Sequence, residues 1–186
     1  MKELSLHILD IAENSINAGA SHVTITVIEN SEADLLRISI KDNGKGMTPE
    51  MAQQIVDPFF TSRTTRKVGL GIPLLKASAE MCNGFLNIHS SPGLGTEVEV
   101  EFQNSHIDRM PLGDLSGTFL HLVIGSPNVH WTFQYKLNDK SYIFDDQPIK
   151  EELDGIPLTE PLVLSFLKDE ITSGINLCQK IEENQL

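Results

Sequence analysis

Asp10 and Asn14 stand four residues apart in a stretch whose apolar residues recur at helical spacing, so a carboxylate and an amide oxygen share one face, one turn apart. Such an amide can ligate a hard divalent cation, and such a carboxylate can orient or deprotonate a water beside it. Further on, Asp42-Asn43-Gly44-Lys45-Gly46-Met47 puts a carboxylate at the end of an apolar-alternating run, followed by glycines that let backbone approach a flat ring. A carboxylate there can accept the hydrogens of an exocyclic amine. Gly69-Leu70-Gly71 opens a helical pattern, where backbone N–H groups and the positive end of the helix dipole suit phosphate. Between these segments Arg63, Arg66 and Lys67 supply positive charge of the kind that neutralises a phosphoryl group during transfer. Each feature has a plainer reading in isolation: a solvated helix stripe, an ordinary turn, a charged loop. Together, and in this order, they meet the requirements of a magnesium-bound nucleoside triphosphate.

The elements that must position these residues follow from periodicity. Leu4, Ile8, Leu9, Ala12 and Ile16 define the apolar side of a helix over 3–17, with His7, Asp10, Asn14 and Asn17 opposite and Gly19 suited to end it in the left-handed conformation. Strands are expected over 22–29 and 35–41, then a short helix over 48–56 with Thr48 as N-cap and Pro49 at its first position. A helix from the second glycine pair to about Cys82 and a hairpin of 85–90 and 96–102 follow. Patterning lapses over 104–111, which places a boundary there. The chain then divides into an ATP-binding domain, 1–105, and a small acidic α/β unit, 106–186, with a helix over 112–124, a hairpin of 129–137 and 141–144, and a final helix over 160–182. Helices and mostly antiparallel strands together give an α/β (α+β) two-layer sandwich with helices on one face of a mixed sheet.

Composition narrows the function. With 26 acidic against 14 basic residues and a net charge of −12, the chain repels a nucleic-acid backbone, and general DNA or RNA binding is not expected. No apolar run approaches the roughly 20 residues that cross a bilayer, and no basic-then-apolar signal opens the sequence, so a cytoplasmic location is the default. Cys82 and Cys178 lack the spacing of a zinc site or a disulfide framework and read as buried thiols. The six histidines, His7, His22, His89, His106, His121 and His130, are scattered without metal-ligand spacing and are expected to be structural or solvated; His7 is set apart by sharing the stripe of Asp10 and Asn14. Trp131, the one tryptophan, falls on a strand and is expected in the core.

Five of these segments resemble, in order, the motifs of the GHKL superfamily, which includes histidine kinases, DNA gyrase and MutL. Glu13-Asn14-Ser15-Ile16-Asn17-Ala18-Gly19-Ala20 is similar to the MutL form of the N box, and Asp42 to Met47 to the first glycine box. Asp57-Pro58-Phe59-Phe60-Thr61-Ser62-Arg63 resembles the F box of histidine kinases, Gly69-Leu70-Gly71-Ile72 their second glycine box, and Gly93-Leu94-Gly95-Thr96 the closing box. The resemblance implies that Asn14 ligates Mg²⁺, that Asp42 bonds adenine with Thr96 supporting the same edge through water, and that Gly44, Gly46, Gly69, Leu70 and Gly71 shape the backbone around ATP. It makes 61–68 a lid, with Phe59, Thr61 and Arg66 at the nucleotide and Arg63 and Lys67 acting on the phosphates. The position of the general base, glutamate in MutL and gyrase, is here Asp10, one methylene shorter; Glu13 is the second candidate.

Two uses of ATP are consistent with these residues. One is a stand-alone kinase-like phosphotransferase acting on a separate protein, since no phosphoacceptor helix precedes the N box in this sequence. The other is a slow ATPase or a non-hydrolysing switch or sensor that regulates a partner enzyme. The C-terminal unit, with 13 acidic and 6 basic residues over 107–186, would carry the partner contact. The resemblance points, for that partner, to a redox enzyme such as a hydrogenase subunit. Homodimerisation is left open.

Overall fold

A computed structural model describes residues 2–57 and 71–179. Helix α1 (Leu4–Asn17) leads into strands β1 (His22–Asn30) and β2 (Leu35–Asp42), the short helix α2 (Pro49–Gln54), and then α3 (Gly71–Met81), β3 (Phe85–Ser91) and β4 (Gly95–Gln103). Helix α4 (Leu115–Gly125), strands β5 (His130–Leu137) and β6 (Lys140–Asp145), and helices α5 (Gln147–Glu152) and α6 (Pro161–Gln179) complete it. Among the described residues six strands form one mixed sheet in the order β3-β4-β2-β1-β5-β6, with β1–β5 parallel and the other four pairs antiparallel. Helices α1, α3, α4 and α6 cover one face, giving the two-layer sandwich.

Alternation decides which face is covered. Val23, Ile25 and Val27 of β1, Leu36, Ile38 and Ile40 of β2, Val98, Val100 and Phe102 of β4, and Trp131, Phe133 and Tyr135 of β5 all point into one core, while their neighbours along each strand are only partly buried. The local signals act as their chemistry requires. The Thr48 hydroxyl accepts from the Met51 amide at 3.3 Å, with Pro49 opening α2. Asp114 caps α4 by accepting from the Gly117 amide, so this helix begins at 115 rather than 112. Trp131 is buried, with its indole N–H donating to the Ser126 carbonyl at 3.2 Å. Helix α5 was not legible: six residues containing a proline carry too little periodicity.

The sheet does not stop at the boundary expected near 105. Strand β1 pairs with β2 on one side, and its other edge would present unpaired N–H and C=O groups; β5 fills it in register from His22↔His130 to Glu29↔Leu137. The weakly patterned 104–111 segment is an ordered crossover. Asp34 accepts from the Ser105 amide and hydroxyl and from Gln103, and Arg109 donates to the Asn104 and Met110 carbonyls. The carbonyls of Pro111 and Leu112 then accept the first amides of α1, Leu4 and Ser5, in place of the side-chain cap that Glu3 does not provide. Residues 106–179 thus complete a sheet and cap a helix begun by residues 2–105.

Phe133 is fully buried and stacked on Phe119 of α4. Phe133→Ala should therefore cost about 3–5 kcal/mol. In urea unfolding, far-UV circular dichroism and Trp131 fluorescence should shift together. Separate transitions would show that the C-terminal residues fold as their own unit.

Candidate functional site

The site is built where the C-terminal end of β2 meets the last turn of α1. Asp42 is the final residue of β2, directly opposite Val23 on one side and Thr96 on the other, and its side chain points to the helical layer. Its carboxylate is buried and receives three donors. The Ser15 hydroxyl of α1 donates to Oδ2 at 2.7 Å; the amides of Gly44 and Thr96 donate to Oδ1 at 2.8 and 3.3 Å. An ionised carboxylate offers about four acceptor positions. One, on Oδ2, is left for an incoming N–H.

The loop after Asp42 is tied down on both sides. The Asn43 amide oxygen accepts from the Ser21 and His22 amides, each at 2.9 Å, and its nitrogen donates to the Ser21 hydroxyl. The Lys45 amide donates to the Ala18 carbonyl, and the Lys45 carbonyl accepts from Gly93, so the glycine-box loop is joined both to the end of α1 and to the closing-box turn. Ser90 completes the junction: its hydroxyl accepts from the Met47 amide, donates to the Gly95 carbonyl and lies 2.8 Å from the Thr96 hydroxyl. Gly46 (φ 63°) and Gly95 (φ 95°) are obligatory here, since a Cβ would strike the Ser91 carbonyl at the first and the Asp42 carbonyl at the second. The three motifs thus hold one another through backbone.

On α1, Asn14 is exposed and Asp10 is half-buried one turn before it, with Asp10 Oδ2 enclosed and without a hydrogen-bond partner among the described residues. Glu13 faces solvent. His7 departs from the polar stripe expected for it. It is 3% exposed, because α1 is flanked by α3 and α4 as well as backed by the sheet, which makes its covered side wider than one apolar stripe. Among the described residues its Nδ1 has no hydrogen-bond partner, and burial pushes its pKa down against the opposing influence of Asp10 and the Gly71 backbone. Gly71, buried, starts α3 beside this group. Phe59, Thr61, Arg63, Arg66, Lys67, Gly69 and Leu70, and with them the expected lid, lie outside the described residues.

The structure joins Asp42, Gly44, Gly46 and Thr96 to the last turn of α1, which carries Asn14 one turn after Asp10, and starts α3 at Gly71 beside His7. Sequence reasoning missed Ser15 and Ser90. Ser15 carried a signal: four residues after Ile11, it is a hydroxyl on the apolar side of α1, and a buried hydroxyl needs a partner. Ser90 carried none, as nothing local distinguishes it from Ser91.

With this geometry, residues 2–106 match the family described as "Histidine kinase-, DNA gyrase B-, and HSP90-like ATPase". The chain belongs to this family of ATP-binding domains. Among curated relatives it is 40% identical over 89 residues to the sensor protein kinase FleS of Pseudomonas aeruginosa, covering 48% of this chain and 22% of that one. It is 32% identical over 111 residues to the non-motile and phage-resistance protein of Caulobacter vibrioides, covering 55% of this chain and 13% of that one. The chain therefore spans less than a quarter of these relatives. Among solved structures, the MutL ATPase domain of Aquifex aeolicus complexed with ADP is similar in fold, with a TM-score of 0.50, 14% identity, and coverage of 93% of this chain and 70% of that one. The N-terminal domain of a DNA repair protein is similar at a TM-score of 0.54 and 13% identity, covering 94% and 57%. Both likenesses run through the C-terminal strands that the family match leaves out.

Ser15→Ala removes one of the three donors to a buried carboxylate. It should lower stability by about 1.5–3 kcal/mol, the worth of a hydrogen bond to a charged group, read from the urea midpoint. An unmoved midpoint would mean that Ser15 does not carry this charge.

Proposed function

We propose that this protein binds Mg-ATP between α1, the Asp42 loop and the start of α3, and transfers the γ-phosphoryl group to a separate protein. The observation that carries the nucleotide assignment is Asp42: a buried carboxylate fixed by three donors, with one acceptor position left for the adenine amine. Asn14 would hold Mg²⁺ through its amide oxygen. The donor set fits that ion, since an exposed amide oxygen lies one turn from Asp10 Oδ2, an enclosed acceptor that a metal-bound water would satisfy. When bound, Mg²⁺ neutralises charge on the phosphates. Gly44 and Gly46 leave room for the ring, Thr96 supports the adenine edge, and the amides at Gly69, Leu70 and Gly71 meet the phosphates. Phe59, Thr61 and Arg66 complete the nucleotide side, and Arg63 and Lys67 act on the charge that grows as the γ-phosphoryl group leaves ADP. The kinase-like F box and the sensor-kinase relatives favour transfer.

A second reading has its own observation. Strand β5 is zipped to β1 from His22 to Glu29, and the 111–112 carbonyls cap the start of α1, so a displacement of α1 on nucleotide binding would be felt by the C-terminal residues. In that reading ATP gates a switch or sensor, with Asp10 supporting slow hydrolysis. In either case we place the partner contact on the acidic residues 106–186; a redox enzyme such as a hydrogenase subunit is the class the resemblance suggests. Among the described residues no helix is long and apolar enough to cross a membrane, and we place the activity in the cytoplasm.

Calorimetry with Mg-ATP and γ-labelled ATP tests these readings together. Asp42→Asn should weaken ATP binding by about 1.5–3 kcal/mol, roughly 10- to 150-fold; an unchanged Kd would remove Asp42 from the site. Label appearing on a protein supports transfer. Tight binding with slow phosphate release and no labelled protein supports the switch, and Asp10→Asn should then abolish the release while sparing affinity; equal turnover in variant and parent would make Asp10 a bystander.

A further inference from the structure

Helix α1 buries one ionisable side chain, His7, and none of the proposed nucleotide contacts uses it. It is 3% exposed, in a layer where a leucine would pack without a polar penalty. The helix lies against α3 as well as the sheet, and α3 starts with two buried residues, Gly71 and Ile72. Two observations place the ring at that junction. Its Nδ1 has no hydrogen-bond partner among the described residues, which leaves Nε2 to serve a neighbour. The Gly71 backbone favours a proton on the ring, as a carbonyl that accepts from a ring N–H does, and the Asp10 carboxylate, one turn on along α1, acts in the same direction. Burial outweighs both and holds the ring below the usual histidine range, so that it is neutral at pH 7 and carries a single N–H.

We propose that His7 is a positioning residue for the phosphate end of the nucleotide: its Nε2–H holds the Gly71 carbonyl and so fixes the start of α3 against α1. The inference rests on the reading that Asp42 takes adenine while amides at the start of α3 meet the phosphates. A peptide unit is planar and rigid, with its C=O and N–H pointing opposite ways. Holding the Gly71 carbonyl therefore sets the direction of the Ile72 N–H, one of the first amides of α3, which have no partner inside the helix. Asp42, by contrast, is fixed by Ser15, Gly44 and Thr96, and takes nothing from α3. The two ends of the ligand are thus held by separate parts of the fold, and His7 serves only one of them. Its enclosed, unpartnered Nδ1 is the penalty of placing a donor there, since leucine would fill the space but has no N–H. The ordinary alternative is a histidine that only packs between α1 and α3.

The test compares Mg-ATP with adenosine, which lacks phosphates, on the full chain and on His7→Leu, His7→Asn and His7→Gln. Leucine keeps the bulk without a donor. Asparagine carries an amide that reaches only the Nδ1 position, and glutamine one that reaches Nε2. The Kd for Mg-ATP, by calorimetry, should rise about tenfold in His7→Leu and His7→Asn, the scale of one well-placed hydrogen bond, and stay within about twofold of the parent in His7→Gln. Adenosine affinity, by ligand-observed NMR, should be the same in the parent and every variant, and Tm checks folding. Equal losses for Mg-ATP and adenosine, an unchanged Mg-ATP Kd in His7→Leu, or a His7→Gln variant as weak as His7→Asn would each overturn the proposal. Should His7→Leu not fold, the asparagine and glutamine variants decide between the same outcomes. A parent chain that binds neither ligand would overturn the nucleotide reading on which this inference rests.

Discussion

A carboxylate taken out of water must be given donors, and at Asp42 they arrive from three segments distant in sequence: the Ser15 hydroxyl from the last turn of α1, the Gly44 amide from the loop, and the Thr96 amide from the start of β4. No one of these can shift without leaving a buried charge short, so the charge fixes the spacing of helix, loop and strand. The glycines follow from the same demand. Gly95 exists because the Thr96 amide can reach Oδ1 only if the chain passes against the Asp42 backbone, and Gly46 because the loop must fold back against the 90–91 strand end to deliver Gly44. A local motif in the sequence is in this way a long-range constraint in the fold.

That constraint needs a rigid frame, and the frame is larger than the part of the chain that matches the family. Strand β1 is the centre of the sheet only because β5 occupies its second edge. Without β5, eight backbone positions of β1 would face solvent beside the Asn43-bound turn that carries the site. The C-terminal residues therefore support the strand whose start is tied to the Asn43 loop. Tyr135 shows the closeness of the join, its hydroxyl donating to Glu29 of β1 at 2.6 Å from within the core of the extension.

Most of the fold was legible because alternation and helical spacing are strong wherever one face is covered: the bounds of α1, β1, β2, β3 and β4 lie within a residue or two of expectation. What was not legible is pairing. Residues 104–111 read as a boundary because their work is done by hydrogen bonds from Asp34, Arg109 and two carbonyls, none of which leaves a period in the sequence. Likewise the glycine boxes announced the site through residue types that only special backbone requires, whereas Ser90 and the burial of His7 depend on which elements become neighbours. The histidines make the point most sharply. His22 and His130 are far apart in sequence, and their rings stack with centroids 4.2 Å apart because β1 and β5 pair in register.

The site also resolves an apparent conflict between a chain of net charge −12 and a ligand that is itself an anion. Exposed charges are screened beyond a Debye length of about 8 Å at physiological ionic strength, so net charge alone says little about a site set by contacts. Nucleotide binding must then rest on groups in direct contact. In the proposed mode the adenine end would be held by the Asp42 carboxylate, the Thr96 edge and the glycine loop. At the phosphate end the start of α3 at Gly71 would supply partial positive charge from backbone alone.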